Sequence, residues 1–191
     1  MRVIAGKARS IQLKAPEGME TRPTTDRIKE TLFNMINNNI YDSCFLDLFA
    51  GSGGIGIEAL SRGARKAYFI ESNRKACSVI EANLSKTHLV EDAFIINTNA
   101  LNALSRLSSD EKFDIVFMDP PYGKGLEKEI LSKPTFIDIL NEDALVIVES
   151  DLETSFMKDE FNGLRIVKEK IYKTNKHTFF EKTDDKGNEE L

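Results

Sequence analysis

From residue 44 onwards, short apolar segments alternate with amphipathic ones, and this alternation limits the possible folds more than any other feature of the chain. The apolar runs predict strands, and the residues between them carry apolar side chains at helical spacing. Strands are predicted over residues 44–49, 67–70, 94–96, 113–118 and 145–148, and helices over 55–62, 74–86 and 101–107. Strands that alternate with helices form parallel sheets covered on both faces, so we predict a doubly wound α/β fold.

Two more strands are predicted over residues 166–172 and 178–181, with only a short link between them. Parallel neighbours need a crossover of a dozen or more residues, so this pair should form a hairpin. The sheet then has seven strands and is mostly parallel, with one antiparallel strand.

Residues 1–40 predict a small N-terminal extension. Residues 1–14 contain four basic residues and no acidic one, and they turn at Gly6, which predicts a β-hairpin. A helix should follow from about Ile28, with Thr24 or Thr25 as its N-cap and the asparagines 37–39 at its end. We therefore expect an extension over residues 1–40, a main domain over 41–182 and a polar tail over 183–191.

The composition excludes several classes of protein. A net charge of −5 excludes binding to nucleic acid through overall basicity, although it leaves room for a local basic patch. The apolar runs are far shorter than the ~20 residues of a membrane helix. Cys44 and Cys77 match no disulfide or zinc pattern and should be buried free thiols. We expect a soluble, cytoplasmic monomer with no targeting signal and no metal site.

A glycine-rich loop joins the first strand of the main domain to its first helix. Residues 47–56 read Asp-Leu-Phe-Ala-Gly-Ser-Gly-Gly-Ile-Gly, so Gly51, Gly53 and Gly56 fit the pattern G-x-G-x-x-G. Gly51 permits a tight turn, Gly53 lets a ligand approach the backbone, and Gly56 lets the helix pack on the strand. Glycines can simply mark a turn, but the position between strand and helix favours a nucleotide cofactor.

Two acidic residues narrow the choice of cofactor. Glu71 ends the second strand and can accept hydrogen bonds from both ribose hydroxyls, unless it is a surface residue before a helix. Asp47 ends the first strand, and a buried acid there needs a cationic or hydrogen-bonding partner. The amino group of a methionine moiety supplies one, whereas a pyrophosphate would be repelled. This favours S-adenosylmethionine over a dinucleotide.

The most specific feature is Asp119-Pro120-Pro121-Tyr122, which follows an apolar strand. The prolines lack N–H donors, so the loop presents the Asp119 carboxylate and the Pro120 carbonyl as acceptors. Two acceptors at a rigid corner suit the exocyclic amine of a nucleobase, and Tyr122 offers a face for stacking. By holding both N–H bonds, they can direct the nitrogen lone pair at a methyl donor, while Asp119 stabilises the positive charge that develops. A proline turn after a buried strand is the alternative.

These segments resemble the class I methyltransferases, and within them the RsmD family, which methylates guanine N2 in bacterial small-subunit rRNA. The resemblance covers nearly the whole chain and rests on residues 22–34, 46–53, 70–71 and 119–122. It implies a Rossmann-like methyltransferase domain over residues 41–182 and a target at guanine 966 of 16S rRNA, in the usual numbering. The substrate could be the free rRNA, the 30S subunit or an assembly intermediate.

The resemblance also implies roles for individual residues. S-adenosylmethionine is expected at Asp47, Gly51, Ser52, Gly53 and Glu71, and the target guanine at Asp119, Pro120, Pro121 and Tyr122. Related enzymes commonly have an acid after the third strand that binds the adenine amine. Here Asn99 and Ala100 stand in that region, and the Asn99 side-chain oxygen could accept the same hydrogen bond.

Arg2, Lys7 and Arg9 are candidate contacts to RNA phosphates, and an ordinary solvated strand face is the alternative. Arg22 precedes Pro23, and the resemblance places it near the active site, with a structural salt bridge as the alternative. Lysines between residues 165 and 176 are weaker candidates. His88 and His177 are expected at the surface rather than in catalysis.

Two other functions fit parts of the sequence. A DNA adenine-N6 methyltransferase could use the same Asp-Pro-Pro-Tyr corner, but only about 40 residues lie outside the main domain, few for reading DNA sequence. An NAD-dependent oxidoreductase or a non-enzymatic nucleotide-binding module could use the glycine loop, but would leave residues 119–122 without a role.

Overall fold

The structure is a computed structural model, and it describes residues 1–16, 25–107, 111–157 and 160–183. Within these residues the chain forms one seven-stranded sheet of order β3-β2-β1-β4-β5-β7-β6. The neighbours from β3 to β5 are parallel, and β7 is antiparallel to both β5 and β6, which confirms the predicted fold class. The strands are β1 (Cys44–Asp47), β2 (Lys66–Glu71), β3 (Ala93–Asn97), β4 (Phe113–Met118), β5 (Leu140–Ser150), β6 (Leu164–Ile171) and β7 (Lys176–Lys182).

The helices begin at side chains that satisfy their free N–H groups. Asn73 caps one helix by accepting from the N–H groups of Lys75 and Ala76, and Thr25 caps another by accepting from Ile28. The helices are α1 (Asp26–Met35), α2 (Asn37–Ile40), α3 (Gly54–Ser61), α4 (Arg74–Thr87), α5 (Ala100–Leu104), α6 (Leu126–Leu131) and α7 (Pro134–Asp138).

The sequence predicted that the three asparagines at 37–39 end the first helical segment, and this prediction is wrong. They form α2, a further turn that follows a break at Ile36. The physical reason is Ile40, which is 1% exposed, because the extra turn delivers its side chain to the core. Burial of this one apolar residue outweighs the poor helix propensity of asparagine.

The central strands are covered on both faces. Along β1, Phe45 joins an apolar layer with α1 to α4, whereas Leu46 joins the opposite layer with α5 to α7. All four residues of β1 are buried, as expected for a strand in the middle of a doubly wound sheet. Polar groups on these strands are therefore confined to the strand ends.

The N-terminal segment is a loop closed by a single antiparallel bridge between Arg2 and Gln12, where the sequence predicted a strand pair. It packs on the main domain through buried apolar side chains and through the fully buried Asn83 of α4. The Asn83 side chain accepts from the N–H of Lys14 (2.8 Å) and donates to the carbonyls of Lys14 and Ser52 (3.0 and 2.9 Å). One side chain thus joins the N-terminal segment to the glycine loop.

In the part of the chain that the structure describes, none of the helices has the length and apolar character needed to cross a membrane.

Candidate active site

The strand order creates a crevice between β1 and β4. The chain runs outwards from β1 to β3 and then returns to β4 on the other side of β1. Ligands of open α/β sheets bind beyond the carboxyl ends of the strands at such a reversal point. Asp47 is the last residue of β1, and Asp119 directly follows β4, so both predicted site acids lie at this crevice.

The glycine loop turns sharply beside the crevice. Gly51 and Gly53 have positive φ angles of 53° and 77°, which other residues adopt at a cost. A Cβ on Gly56 would lie 2.4 Å from the Phe69 ring of β2, so this glycine has the predicted role of packing the helix on a strand. A Cβ on Gly53 would lie 3.1 Å from the Ile80 side chain of α4. The lack of a side chain at Gly53 therefore allows close packing in addition to the predicted approach of a ligand.

Glu71 fixes the glycine loop from the end of β2. Its two carboxylate oxygens accept from the backbone N–H groups of Gly51 (2.9 Å) and Asn73 (2.7 Å). The oxygen bonded to Asn73 also accepts from the Ser72 hydroxyl (3.5 Å), whereas the oxygen bonded to Gly51 keeps a lone pair with which the carboxylate can accept from a ribose. The predicted position of Glu71 at a strand end is correct, and the loop contact adds a structural role.

Asp47 and Asp119 are acids in a site without a cation. Burial raises the pKa of Asp47 to about 7, and the Glu71 carboxylate adds to this shift. Burial also raises the pKa of Asp119 to about 8, with further contributions from Glu149 and Asp47. Among the described residues, no lysine or arginine forms an ion pair with either acid. Such a site favours a positively charged ligand, and the sulfonium and ammonium groups of S-adenosylmethionine match this requirement.

Tyr122 of the Asp-Pro-Pro-Tyr corner borders a cleft of about 790 Å³. Pro120 is buried, whereas Tyr122 is 47% exposed and presents its ring. The cleft lies between the start of α1, Tyr122 and the turn from β6 to β7; its lining residues are Thr25, Arg27, Ile28, Thr31, Tyr122, Glu149, Lys170, Ile171, Tyr172, Lys173, Thr174 and Asn175. A cleft of this size accommodates a nucleotide.

Glu149 at the end of β5 was not predicted as a site residue. Its carboxylate accepts from Tyr122 (3.4 Å), Asn175 (2.5 Å) and the His177 ring (3.0 Å), and the Tyr172 hydroxyl contacts the other ring nitrogen (3.2 Å). The signal was available, because Glu149 directly follows a predicted apolar strand, the position that singled out Asp119 after β4.

His177 is fully buried, so its predicted surface position is wrong. The prediction began the last strand at residue 178 and left His177 in a link, whereas β7 begins at Lys176 and is paired on both sides. His88 is exposed, as expected.

The remaining predicted cofactor residues occupy different surroundings. Asn99 is exposed and caps α5, with its side-chain oxygen accepting from the N–H of Asn102 at 2.8 Å. Ala100 is the first residue of α5 and is 6% exposed. Ser52 is half-buried, with its hydroxyl 3.9 Å from the Met1 sulfur.

The predicted RNA contacts do not form one surface beside the crevice. Arg2 pairs with Asp26 at the start of α1 (3.2 Å), next to the cleft. Lys7 donates its backbone N–H to Ser61 at the far end of α3, and Arg9 follows in the same exposed turn. Arg22 lies outside the described residues.

Comparisons with known proteins identify the family. The family model described as "Conserved hypothetical protein 95" matches residues 1–181. Over 153 residues the chain is 40% identical to "Ribosomal RNA small subunit methyltransferase D" of Escherichia coli, which covers 80% of this chain and 76% of that protein. The protein of the same name from Haemophilus influenzae is 37% identical over 161 residues, with coverages of 84% and 83%. The chain belongs to the RsmD family of methyltransferases.

A solved structure agrees with this assignment. "Putative methyltransferase yhhF from Escherichia coli" superposes with a TM-score of 0.82 at 35% identity, covering 96% of this chain and 98% of that one. The sequence prediction of an RsmD-family methyltransferase is thus confirmed, and S-adenosylmethionine is its cofactor. The oxidoreductase alternative is excluded with it.

Proposed function

We propose that this RsmD-family protein transfers a methyl group from S-adenosylmethionine to the exocyclic N2 amine of guanine 966 in 16S rRNA. The names of the E. coli and H. influenzae relatives support the rRNA substrate. The observation that carries the choice of an amine is the position of Asp119, which lies at the same crevice as Asp47 and is followed by the Pro120 carbonyl.

Asp47 and Glu71 would hold the two ends of the cofactor. Asp47 offers its carboxylate to the ammonium group, and Glu71 offers its carboxylate to the ribose, while Gly51 and Gly53 keep the loop backbone close to the ligand. Asn99 and Ala100, at the start of α5, are the proposed adenine contacts. The bound cofactor supplies an electrophilic methyl group on a positively charged sulfur. That charge favours the ionised form of Asp119, the form that accepts hydrogen bonds.

Asp119 and the Pro120 carbonyl would each accept one N–H of the target amine. These bonds draw the nitrogen away from planarity and direct its lone pair towards the methyl group, and Tyr122 holds the ring by stacking. Asp119 also stabilises the positive charge that forms on nitrogen as the bond to carbon forms. The extra proton can leave after transfer, so no strong base is required.

Methyl transfer from labelled S-adenosylmethionine to 16S rRNA, to 30S particles that lack the modification and to duplex DNA tests the proposal. We expect N2-methylguanine at one rRNA position, identified by mass spectrometry. Asp119→Ala should lose about 100-fold or more in rate. Asp143→Ala, which removes an exposed acid of β5, is the control and should retain activity.

The products separate the remaining possibilities. Methyladenine in DNA would overturn the substrate and support the adenine-N6 alternative. Full activity of Asp119→Ala would overturn the role of the corner while leaving the substrate standing.

A further inference from the structure

The floor of the cleft is lined by hydrogen-bond acceptors that the methyl-transfer step does not use. Glu149 is 5% exposed and Asn175 is 4% exposed, yet both border the cleft beside Tyr122. Buried polar groups normally find partners, because an unpaired one costs about 1–3 kcal/mol. An unused acceptor here therefore indicates that the bound ligand carries a hydrogen-bond donor at this position.

Glu149 has one unused acceptor position. A carboxylate has about four lone-pair sites, and in the structure three of them accept from Tyr122, Asn175 and His177. Asn175 donates its side-chain N–H to Glu149, so the side-chain oxygen of Asn175 points away from Glu149. Among the described residues, that oxygen is the one buried side-chain polar atom without a hydrogen-bond partner.

The register of the sheet places these acceptors next to Asp119. Met118 of β4 pairs with Val148 of β5, so Asp119 and Glu149 follow at the same level on neighbouring strands. Neighbouring strands lie about 4.8 Å apart, which suits two adjacent donors on one edge of a planar base. A base with its amine at Asp119 would therefore point the next position of its ring towards Glu149.

Guanine and adenine differ at that position. In guanine the ring N1 carries a hydrogen and is a donor next to the 2-amine, whereas in adenine N1 is an acceptor next to the 6-amine. Enzymes that act on an extruded base read this edge by hydrogen bonds. Opposite Glu149, adenine would bring a lone pair against a carboxylate, and the buried acceptor would stay unpaired.

We propose that Glu149, supported by Asn175, selects guanine by accepting a hydrogen bond from N1–H of the target base. The proposal rests on the proposed function, because it requires the target amine at Asp119. It gives Glu149 a role in base recognition, while Tyr172 and His177 hold its carboxylate in place.

The test compares guanine with 2-aminopurine at the target position of 16S rRNA assembled into 30S particles. 2-Aminopurine has the same 2-amine, but its N1 has a lone pair instead of a hydrogen. We expect the wild-type protein to prefer guanine by at least about 100-fold in kcat/KM, because a site built to bind a substrate donor discriminates strongly against an analogue that lacks it. Glu149→Gln, whose amide can donate to N1, should narrow this ratio at least tenfold (about 1.4 kcal/mol). Glu142→Gln makes the same change at an exposed residue of β5 and should keep the wild-type ratio.

The outcomes are distinguishable. Equal losses on both bases in Glu149→Gln, with cofactor affinity unchanged by calorimetry, would mean that Glu149 is only structural and would overturn the proposal. If Glu149→Gln does not fold, Asn175→Leu provides the test, because it removes the amide N–H that holds the Glu149 carboxylate and should also narrow the ratio. An unchanged ratio would count against the proposal. If the wild-type protein methylates neither base, the proposed function itself fails.

Discussion

Asp119 combines a half-buried position with a reaction that needs its ionised form. Burial and the neighbouring carboxylates of Glu149 and Asp47 raise its pKa to about 8, which favours the protonated form in the free protein. Because a cationic ligand favours the carboxylate, binding of S-adenosylmethionine should release a proton. The affinity is therefore expected to rise as the pH increases from about 6 and to level off above about 8, with Asp119 contributing at most about tenfold per pH unit. Calorimetry at several pH values in buffers of different ionisation enthalpy measures both the affinity and the released proton.

S-Adenosylhomocysteine separates this effect from titration of the ligand. It has the same amino group but no charge on sulfur, so its affinity should rise less between pH 6 and 8. In Asp119→Asn the rise for S-adenosylmethionine should shrink to the part that Asp47 contributes, since burial raises the pKa of Asp47 to about 7. An affinity that falls over this range in the wild-type protein would show that Asp119 is already ionised in the free site.

At the scale of elements, one buried acid joins three segments. Glu58 of α3 is fully buried and accepts from the backbone of Ile4 (2.8 Å) and Ala5 (3.0 Å). It also pairs with Lys29 of α1 (3.2 Å) and Arg62 (2.8 Å). Burial lowers the pKa of Lys29, and the neighbouring Glu58 opposes this shift, so the ammonium depends on its partner. The N-terminal segment and the helix that borders the cleft are therefore fixed to the same side chain.

We expect Glu58→Gln to reduce the free energy of unfolding by about 3–5 kcal/mol, because it leaves a buried ammonium without its counter-charge. Urea denaturation of the cofactor-free protein measures this change. Glu181→Gln is the matched control, since it breaks the exposed pair with Arg165 and should cost less than about 1 kcal/mol. Similar losses in the two variants would contradict a locking role for Glu58.

The elements also show how far the sequence could predict the structure. The strands from β1 to β5 and the final hairpin follow from apolar runs, because each is a local pattern with clear turn signals. Asp47, Glu71 and Asp119 were accessible for the same reason, since each ends a recognisable strand. Glu149 was overlooked although it also follows a recognisable strand. The burial of His177 was missed because it depends on β7 lying between β5 and β6, a pairing that local pattern does not specify. Likewise, the position of Lys7 at the far end of α3 depends on how the N-terminal loop folds back.

At the scale of the whole molecule, three basic residues border the cleft of an otherwise acidic chain. Arg27, Lys170 and Lys173 line the cleft that contains Tyr122. Lys7 and Arg9 lie near the C-terminal end of α3, whereas the glycine loop and the crevice lie at its N-terminal end. The two ends of this eight-residue helix are about 12 Å apart. An RNA whose base enters the cleft would bring its flanking phosphates to the first group. The structure therefore favours the cleft residues as phosphate contacts over Lys7 and Arg9, which the sequence had ranked higher.

We expect the double variant Lys170→Gln/Lys173→Gln to bind 16S rRNA or 30S particles more weakly. Its plot of log affinity against log salt should be shallower by about 1–2, because each lost phosphate contact removes about 0.7–0.9 from the slope. Lys7→Gln/Arg9→Gln removes the same charge and serves as the control, with the smaller change in slope. Filter-binding titrations from low to moderate salt measure both variants, and cofactor affinity should be unchanged in each. A larger change in slope for the Lys7 and Arg9 pair would place the RNA along α3 and would mean that the target strand enters the crevice from the side of the N-terminal loop.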